Sequence, residues 1–209
     1  MPKTEKIKPS AAQRVTQKGQ CRIIAGKWRG RIIRFDDAEG LRPTTDRIRE
    51  TVFNWLQAYI PRSRCLDCFA GSGVLGFEAL SRGADEVVFI EQNKITLQKL
   101  KANGQMLDAA NVVFLHADTL AWLEGKKSGD DSNKHPDQMF DLVFLDPPFH
   151  SDLLEKSSTL LNSSGCLAED AIIYVEHAIN DDVVLPENWR CLKEKLAGQV
   201  AYKLFEKQP

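Results

Sequence analysis

The chain of 209 residues lacks most of the features that would place it outside the ordinary globular class. No apolar run approaches the ~20 residues of a membrane span. The Lys-rich N-terminus has no apolar core like that of a secretory signal, so a cytoplasmic setting is expected. Only five cysteines occur, an odd number, scattered as in a reducing compartment rather than paired as a disulfide framework. Cys65 and Cys68 have a C-x-x-C spacing, but three residues along a strand set them on opposite faces. They are expected to be packed thiols, and no metal site is expected. No internal repeat or low-complexity tract is present. Apolar content of 43% and charged content of 27% fit a soluble domain with a substantial core.

Net charge is also nearly absent, at −1, but the balance conceals an asymmetry. Residues 1–49 carry thirteen Lys/Arg against five Asp/Glu, a net +8, and the remainder is −9. A basic arm on an acidic body points to a polyanion docked by the arm. Residues 1–20 have little apolar periodicity and read as a flexible basic tail. Residues 21–60 read as a folded extension. Cys21 to Ala25 and Arg31 to Phe35 form a hairpin around Gly26-Lys27-Trp28-Arg29-Gly30, and a helix follows whose apolar face is Ile48, Val52, Phe53 and Leu56. Arg22, Lys27, Arg29, Arg31 and Arg34 can neutralise phosphates, and Trp28 can stack on an unpaired base. Thr44 or Thr45 can cap the helix. Arg42, Arg47 and Arg49 crowd its first turn, where the helix dipole disfavours cations, so anions are expected there too.

Residues 61–209 alternate strands and helices, which implies a largely parallel sheet covered on both faces. Strands are expected at 65–69, 87–90, 112–115, 140–145 and 171–175, with a terminal hairpin near 190–205. Helices are expected at 74–82, 93–107 and 152–161, and residues 125–138 as a surface loop. The first strand runs into Asp67-Cys68-Phe69-Ala70-Gly71-Ser72-Gly73 and then a helix, a strand–glycine-turn–helix unit that cradles nucleotides. Asp67, Glu91, Asp118 and Asp146 close or follow four successive strands, on the edge where such sheets bind ligands. Gly71-x-Gly73-x-x-Gly76 also matches a dinucleotide fingerprint, which keeps an NAD-dependent oxidoreductase open as a reading. An acid ahead of the glycines would repel a pyrophosphate, however, and suits a cationic ligand.

Arg22 to Gly30, Arg42 to Glu50, Leu66 to Gly73 and Asp146-Pro147-Pro148-Phe149 together resemble the bacterial small-subunit (16S) ribosomal RNA (guanine-N2)-methyltransferases, the RsmD-like family. The resemblance covers nearly all of the chain from Cys21. It implies an α/β, Rossmann-like, class I fold dependent on S-adenosyl-L-methionine, with a seven-stranded, mostly parallel sheet. Asp67, Ala70, Gly71 and Gly73 would hold the methionine end, Glu91 the ribose and Asp118 the adenine amine, with Phe69, Ser72 and Thr44 as further cofactor contacts. Asp146, Pro147, Pro148 and Phe149 would be catalytic. The carboxylate and the Pro147 carbonyl accept from the exocyclic amine, the prolines fix the turn, and Phe149 stacks on the base. The implied partner is ribosomal RNA or the small subunit, met by a monomer. A DNA adenine or protein amide N-methyltransferase and a non-catalytic RNA-binding assembly protein remain as other readings.

Overall fold

A computed structural model describes residues 18–36, 46–127 and 139–209. Within it, β1 (Lys18–Arg22) and β2 (Ile32–Asp36) form an antiparallel hairpin. Lys18 to Gln20, expected in the flexible tail, are paired in register with Arg34 to Asp36. Helix α1 (Asp46–Trp55) and a 3₁₀ turn (Leu56–Ala58) lead to β3 (Arg64–Asp67). The chain continues through α2 (Val74–Ser81), β4 (Glu86–Glu91), α3 (Lys94–Met106) and β5 (Val112–His116), then α4 (Thr119–Lys127) and β6 (Phe140–Leu145). It closes with α5 (Leu153–Ser163), β7 (Leu167–Ala178), β8 (Trp189–Ala197) and β9 (Val200–Lys207).

The second sheet has seven strands in the order β5-β4-β3-β6-β7-β9-β8. All neighbours from β5 to β7 are parallel, and β9 runs antiparallel to both β7 and β8. The chain moves outward from β3 to β5 and then returns to place β6 on the other side of β3. That reversal opens a crevice at the carboxyl ends of β3 and β6, the place where such sheets bind ligands.

Each face of the sheet has its own core. Cys65, Phe89, Phe144 and Tyr174 pack with α1, α2, α3 and the hairpin. Leu66, Cys68, Val143 and Val175 pack with α4 and α5. Cys65 and Cys68 therefore lie on opposite faces, both buried as thiols, and burial pushes the Cys65 thiol up to about 12. No group of metal-ligating side chains is found among the described residues.

The 21–60 extension shares the core of the sheet. Glu78 of α2, wholly buried, accepts the backbone N–H groups of Ile24 (2.7 Å) and Ala25 (3.0 Å) and the Arg82 Nε–H (2.7 Å). Ser81 Oγ donates to the Ala25 carbonyl (2.6 Å) and accepts from the Trp28 N–H (2.9 Å). Asn103 of α3 exchanges two hydrogen bonds with the Arg34 backbone (2.9 and 3.2 Å). Gly26, at φ +79°, lies so close to α2 that a Cβ would stand 1.8 Å from the Ser81 carbonyl oxygen.

Glu78→Ala should therefore cost about 3–5 kcal/mol, the usual cost of breaking a buried, hydrogen-bonded charge pair. Gly26→Ala should destabilise in the same direction. Chemical denaturation of the two variants beside wild type measures both effects.

Candidate active site

Four acids stand along one edge and one face of the sheet. Side chains alternate along a strand, so Asp67 shares a face with Cys65, Glu91 with Phe89, and Asp146 with Phe144. The register brings Asp67 opposite Phe144, two residues before Asp146. A fourth acid on this face, Glu176, follows Tyr174 on β7 and was not expected from sequence. It is buried and accepts the Tyr174 O–H at 2.7 Å. Burial, then the nearby Glu176 and Asp146 carboxyls, hold the Tyr174 phenol well above its ordinary range. The period-two step from Tyr174 to Glu176 past the expected strand end was the available signal.

The glycine turn is built tightly. The Cys68 N–H donates to Phe144 O (3.1 Å), the Ala70 N–H to Ile90 O (3.0 Å) and the Gly73 N–H to Ala70 O (2.7 Å). Gly71 (φ +50°) and Gly73 (φ +77°) both take left-handed conformations. A Cβ at Gly76 would collide with the Phe89 ring at 2.3 Å, so α2 can approach β4 only without a side chain there. Phe69, Gly71 and Ser72 are half-buried, and Ala70 is buried.

Asp67 is 2% exposed, and its Oδ2 accepts the Gly76 N–H at 3.3 Å. Burial raises its carboxyl from 3.8 to about 7; the Gly76 hydrogen bond works downward and the neighbouring Glu91 charge upward. Glu91 spans the turn, accepting from Gly71 N–H (3.0 Å) and Asn93 N–H (2.7 Å). Two further lone-pair positions remain on that carboxylate. Asp118 is exposed, and one of its oxygens caps α4 by accepting the Ala121 N–H at 2.9 Å. Helix α4 itself was not expected, and it takes in Gly125 to Lys127, read from sequence as loop. Thr119 of α4 donates to the Cys68 carbonyl, tying this helix to the turn.

Asp146 is half-buried, Pro147 buried, Pro148 exposed and Phe149 half-buried. Ser151 Oγ donates to the Pro148 carbonyl at 2.6 Å and closes the turn. An open hollow of about 740 Å³ lined by Arg62, Arg64, Glu86 and Asp141 lies at the amino ends of the strands, away from this edge. Its Arg64 is already paired with Glu86 at 2.6 Å.

Two of the expected RNA contacts are corrected. Trp28 is 8% exposed and belongs to the core, because the Gly26 turn tucks it beneath the hairpin against Ser81. It has no face left for a base. Arg49 is fully buried, donating to the Arg22 carbonyl (2.9 Å) and to Asp46 (2.6 Å). Its position follows from spacing, since 49, 52, 53 and 56 form one helical stripe. Arg22, Lys27, Arg29, Arg34 and Arg47 are exposed, as is Arg31, whose guanidinium also donates to Met106 O at 2.8 Å. Arg42 and Thr44 lie outside the described residues.

A parallel sheet reversing at β3/β6, a glycine turn beneath acidic strand ends and an Asp-Pro-Pro-Phe turn beside it define a Rossmann-like class I methyltransferase. The chain belongs to the family described as Conserved hypothetical protein 95, whose model matches residues 21–206. It is 48% identical over 191 residues to the ribosomal RNA small subunit methyltransferase D of Haemophilus influenzae, covering 90% of this chain and 95% of that one. The enzyme of the same name from Escherichia coli K12 is 46% identical, with 91% of each chain covered. A solved putative methyltransferase of Escherichia coli superposes with a TM-score of 0.81 at 42% identity, covering 91% of this chain and 99% of that one. The glycine spacing shared with nicotinamide enzymes thus belongs here to a methyltransferase turn.

Asp67 yields a prediction with a definite sign. Its pKa is raised on folding, so protonation favours the folded state between about pH 4 and pH 7 and stability falls as pH rises through that window. Asp67→Asn keeps an acceptor for Gly76 N–H and should stabilise the unliganded protein above pH 7 by on the order of 2–4 kcal/mol. Urea unfolding at pH 4 and pH 8 checks it: wild type and variant should lie close together at pH 4 and separate at pH 8.

Proposed function

We propose that this chain transfers a methyl group from S-adenosyl-L-methionine to the exocyclic N2 amine of a guanine in small-subunit ribosomal RNA. The carrying observation is the pairing of two elements across the β3/β6 crevice: an acidic glycine turn on one side and Asp-Pro-Pro-Phe on the other. Membership of a family whose relatives bear the name ribosomal RNA small subunit methyltransferase D supports the substrate class.

The groups present fit the donor. Asp67, Glu91 and Asp118 are acceptors at three neighbouring strand ends, and an ammonium, a ribose diol and an adenine amine each offer donors to them. S-adenosylmethionine supplies an electrophilic methyl group on a sulfonium. Asp67 would be held ionised by the ammonium, and binding would release the proton that burial keeps on it. Glu91 would exchange or share its turn contacts with the ribose hydroxyls.

The chain's work on the acceptor is electrostatic. A guanine amine is a weak nucleophile because its lone pair is delocalised into the ring. The Asp146 carboxylate and the Pro147 carbonyl accept its two N–H bonds and favour a tetrahedral nitrogen. Two consecutive prolines keep those acceptors aimed. Asp146 would take the proton that leaves the nitrogen. Phe149 would stack on the base, which must leave its own stack to enter.

Arg22, Lys27, Arg29, Arg34 and Arg47 would meet RNA phosphates from the hairpin and the α1 entry. The basic face and the crevice come from one chain, so a monomer suffices. No described helix is long and apolar enough to cross a membrane, and a ribosomal substrate places the enzyme in the cytoplasm.

Labelled methyl transfer to small-subunit RNA from cells lacking this protein, with the nucleoside identified by mass, tests the reading. N2-methylguanosine is expected from wild type. Asp146→Ala should lower transfer by about 10²–10³-fold, as loss of a preorganised acceptor does, while S-adenosylhomocysteine still binds. Undiminished transfer by that variant, or a methylated adenine or protein amide, would overturn the reading.

A further inference from the structure

The residue after the Asp-Pro-Pro-Phe turn is held in an unusual way. His150 has φ +57°, a left-handed conformation that non-glycine residues seldom adopt. Both of its N–H groups nearest the backbone meet one carboxylate. The His150 main-chain N–H lies 3.2 Å from Asp181 Oδ2, and ring Nδ1 lies 2.8 Å from Asp181 Oδ1. Burial works upward on Asp181 but is outweighed by the hydrogen bonds from His150, which hold this carboxyl below its usual range. An ionised carboxylate only accepts, so Nδ1 carries the proton and donates.

Asp181 is itself anchored to the sheet. Its N–H donates to Ala178 O at 3.0 Å, closing a turn at the end of β7, and the neighbouring Ile179 N–H donates to Gln199 O at 2.9 Å. The Asp-Pro-Pro-Phe turn begins where β6 ends at Leu145. It is fixed at its start by Leu145, and at its end by Ser151 on Pro148 O and by His150 on Asp181.

We propose that His150 and Asp181 form a latch that positions the catalytic turn, holding the Pro147 carbonyl and the Phe149 ring at the angle the target amine requires. This rests on the reading that the turn carries the amine's acceptors. Asp181 and His150 are positioning residues, acting through the turn rather than on the reacting atoms. An unlatched turn would still bind S-adenosylmethionine and RNA, and would lose the alignment needed in the transition state.

The chemistry of substitution at 150 separates this role from direct contact. Asparagine tolerates the left-handed conformation and places an N–H near the imidazole Nδ1 position, so it can keep the latch. Glutamine reaches the Nε2 position instead and disfavours that backbone geometry. The test measures kcat and KM for RNA, the Kd for S-adenosylhomocysteine, and hydrogen–deuterium exchange of the 146–152 segment, in the full-length protein.

Asp181→Ala and His150→Gln should lower kcat by about 10- to 100-fold, the effect of a small misplacement of reacting groups. The Kd should be unchanged and exchange across 146–152 faster, while His150→Asn stays near wild type in all three. Two results would overturn the latch: kcat and exchange unchanged in Asp181→Ala, or His150→Gln active where His150→Asn is not. The exchange measurement needs no turnover. A wild type that methylates no guanine would therefore refute the reading of the activity, and the latch would still be judged by exchange.

Discussion

The structure turns on crowding negative charge into one corner of a sheet. Asp67, Glu91, Asp146 and Glu176 share a face and an edge. Backbone N–H groups donate to Glu91 and to one oxygen of Asp67, and the Tyr174 hydroxyl donates to Glu176. Asp67 keeps its proton up to about pH 7 because burial beside Glu91 makes ionisation costly. A corner of this kind favours a positively charged, hydrogen-bond-donating guest. The same property disfavours a pyrophosphate, despite glycine spacing that would otherwise suit one.

The topology sets the second requirement, that donor and acceptor meet. Because the chain leaves β3 in one direction and comes back to β6 in the other, the two strand-end turns of unlike chemistry become neighbours. One is rich in glycine, left-handed at Gly71 and Gly73, and lets a ligand approach the backbone. The other is stiffened by two prolines and pinned beyond them by Ser151 and His150. Helix α2 joins this corner to the N-terminal hairpin. Its first turns carry Gly76, under Asp67, and its last turns carry Glu78 and Ser81, which grip the hairpin backbone. The basic face is thereby fixed relative to the crevice through a two-turn rod, with Asn103 of α3 holding the second strand of the hairpin.

Much of this could be read from the residues, since continuous apolar runs ended by glycine or acidic residues mark buried parallel strands well. The Asp67–Gly73 and Asp146–Phe149 stretches were legible because their chemistry is local. What escaped was long-range. Trp28 looked like a base-stacking residue among cations, and only the contact of Gly26 with Ser81, fifty-five residues on, shows why it is buried. Arg49 was assigned by charge although its helical stripe was apolar. Glu78 gave no sign of its role, because its partners are backbone amides that no side-chain pattern reveals. The α4 segment hid because its weak apolar pattern, Leu120, Trp122 and Leu123, runs into the polar 125–138 stretch.

A crystal of the protein grown with S-adenosylhomocysteine addresses the central proposition most directly. The ligand should lie across the Gly71–Gly73 turn, its ammonium on Asp67, its ribose on Glu91, and its sulfur facing Asp146 and Pro147. A ligand seated elsewhere on the sheet, or an Asp146 carboxylate turned away from the sulfur, would contradict it.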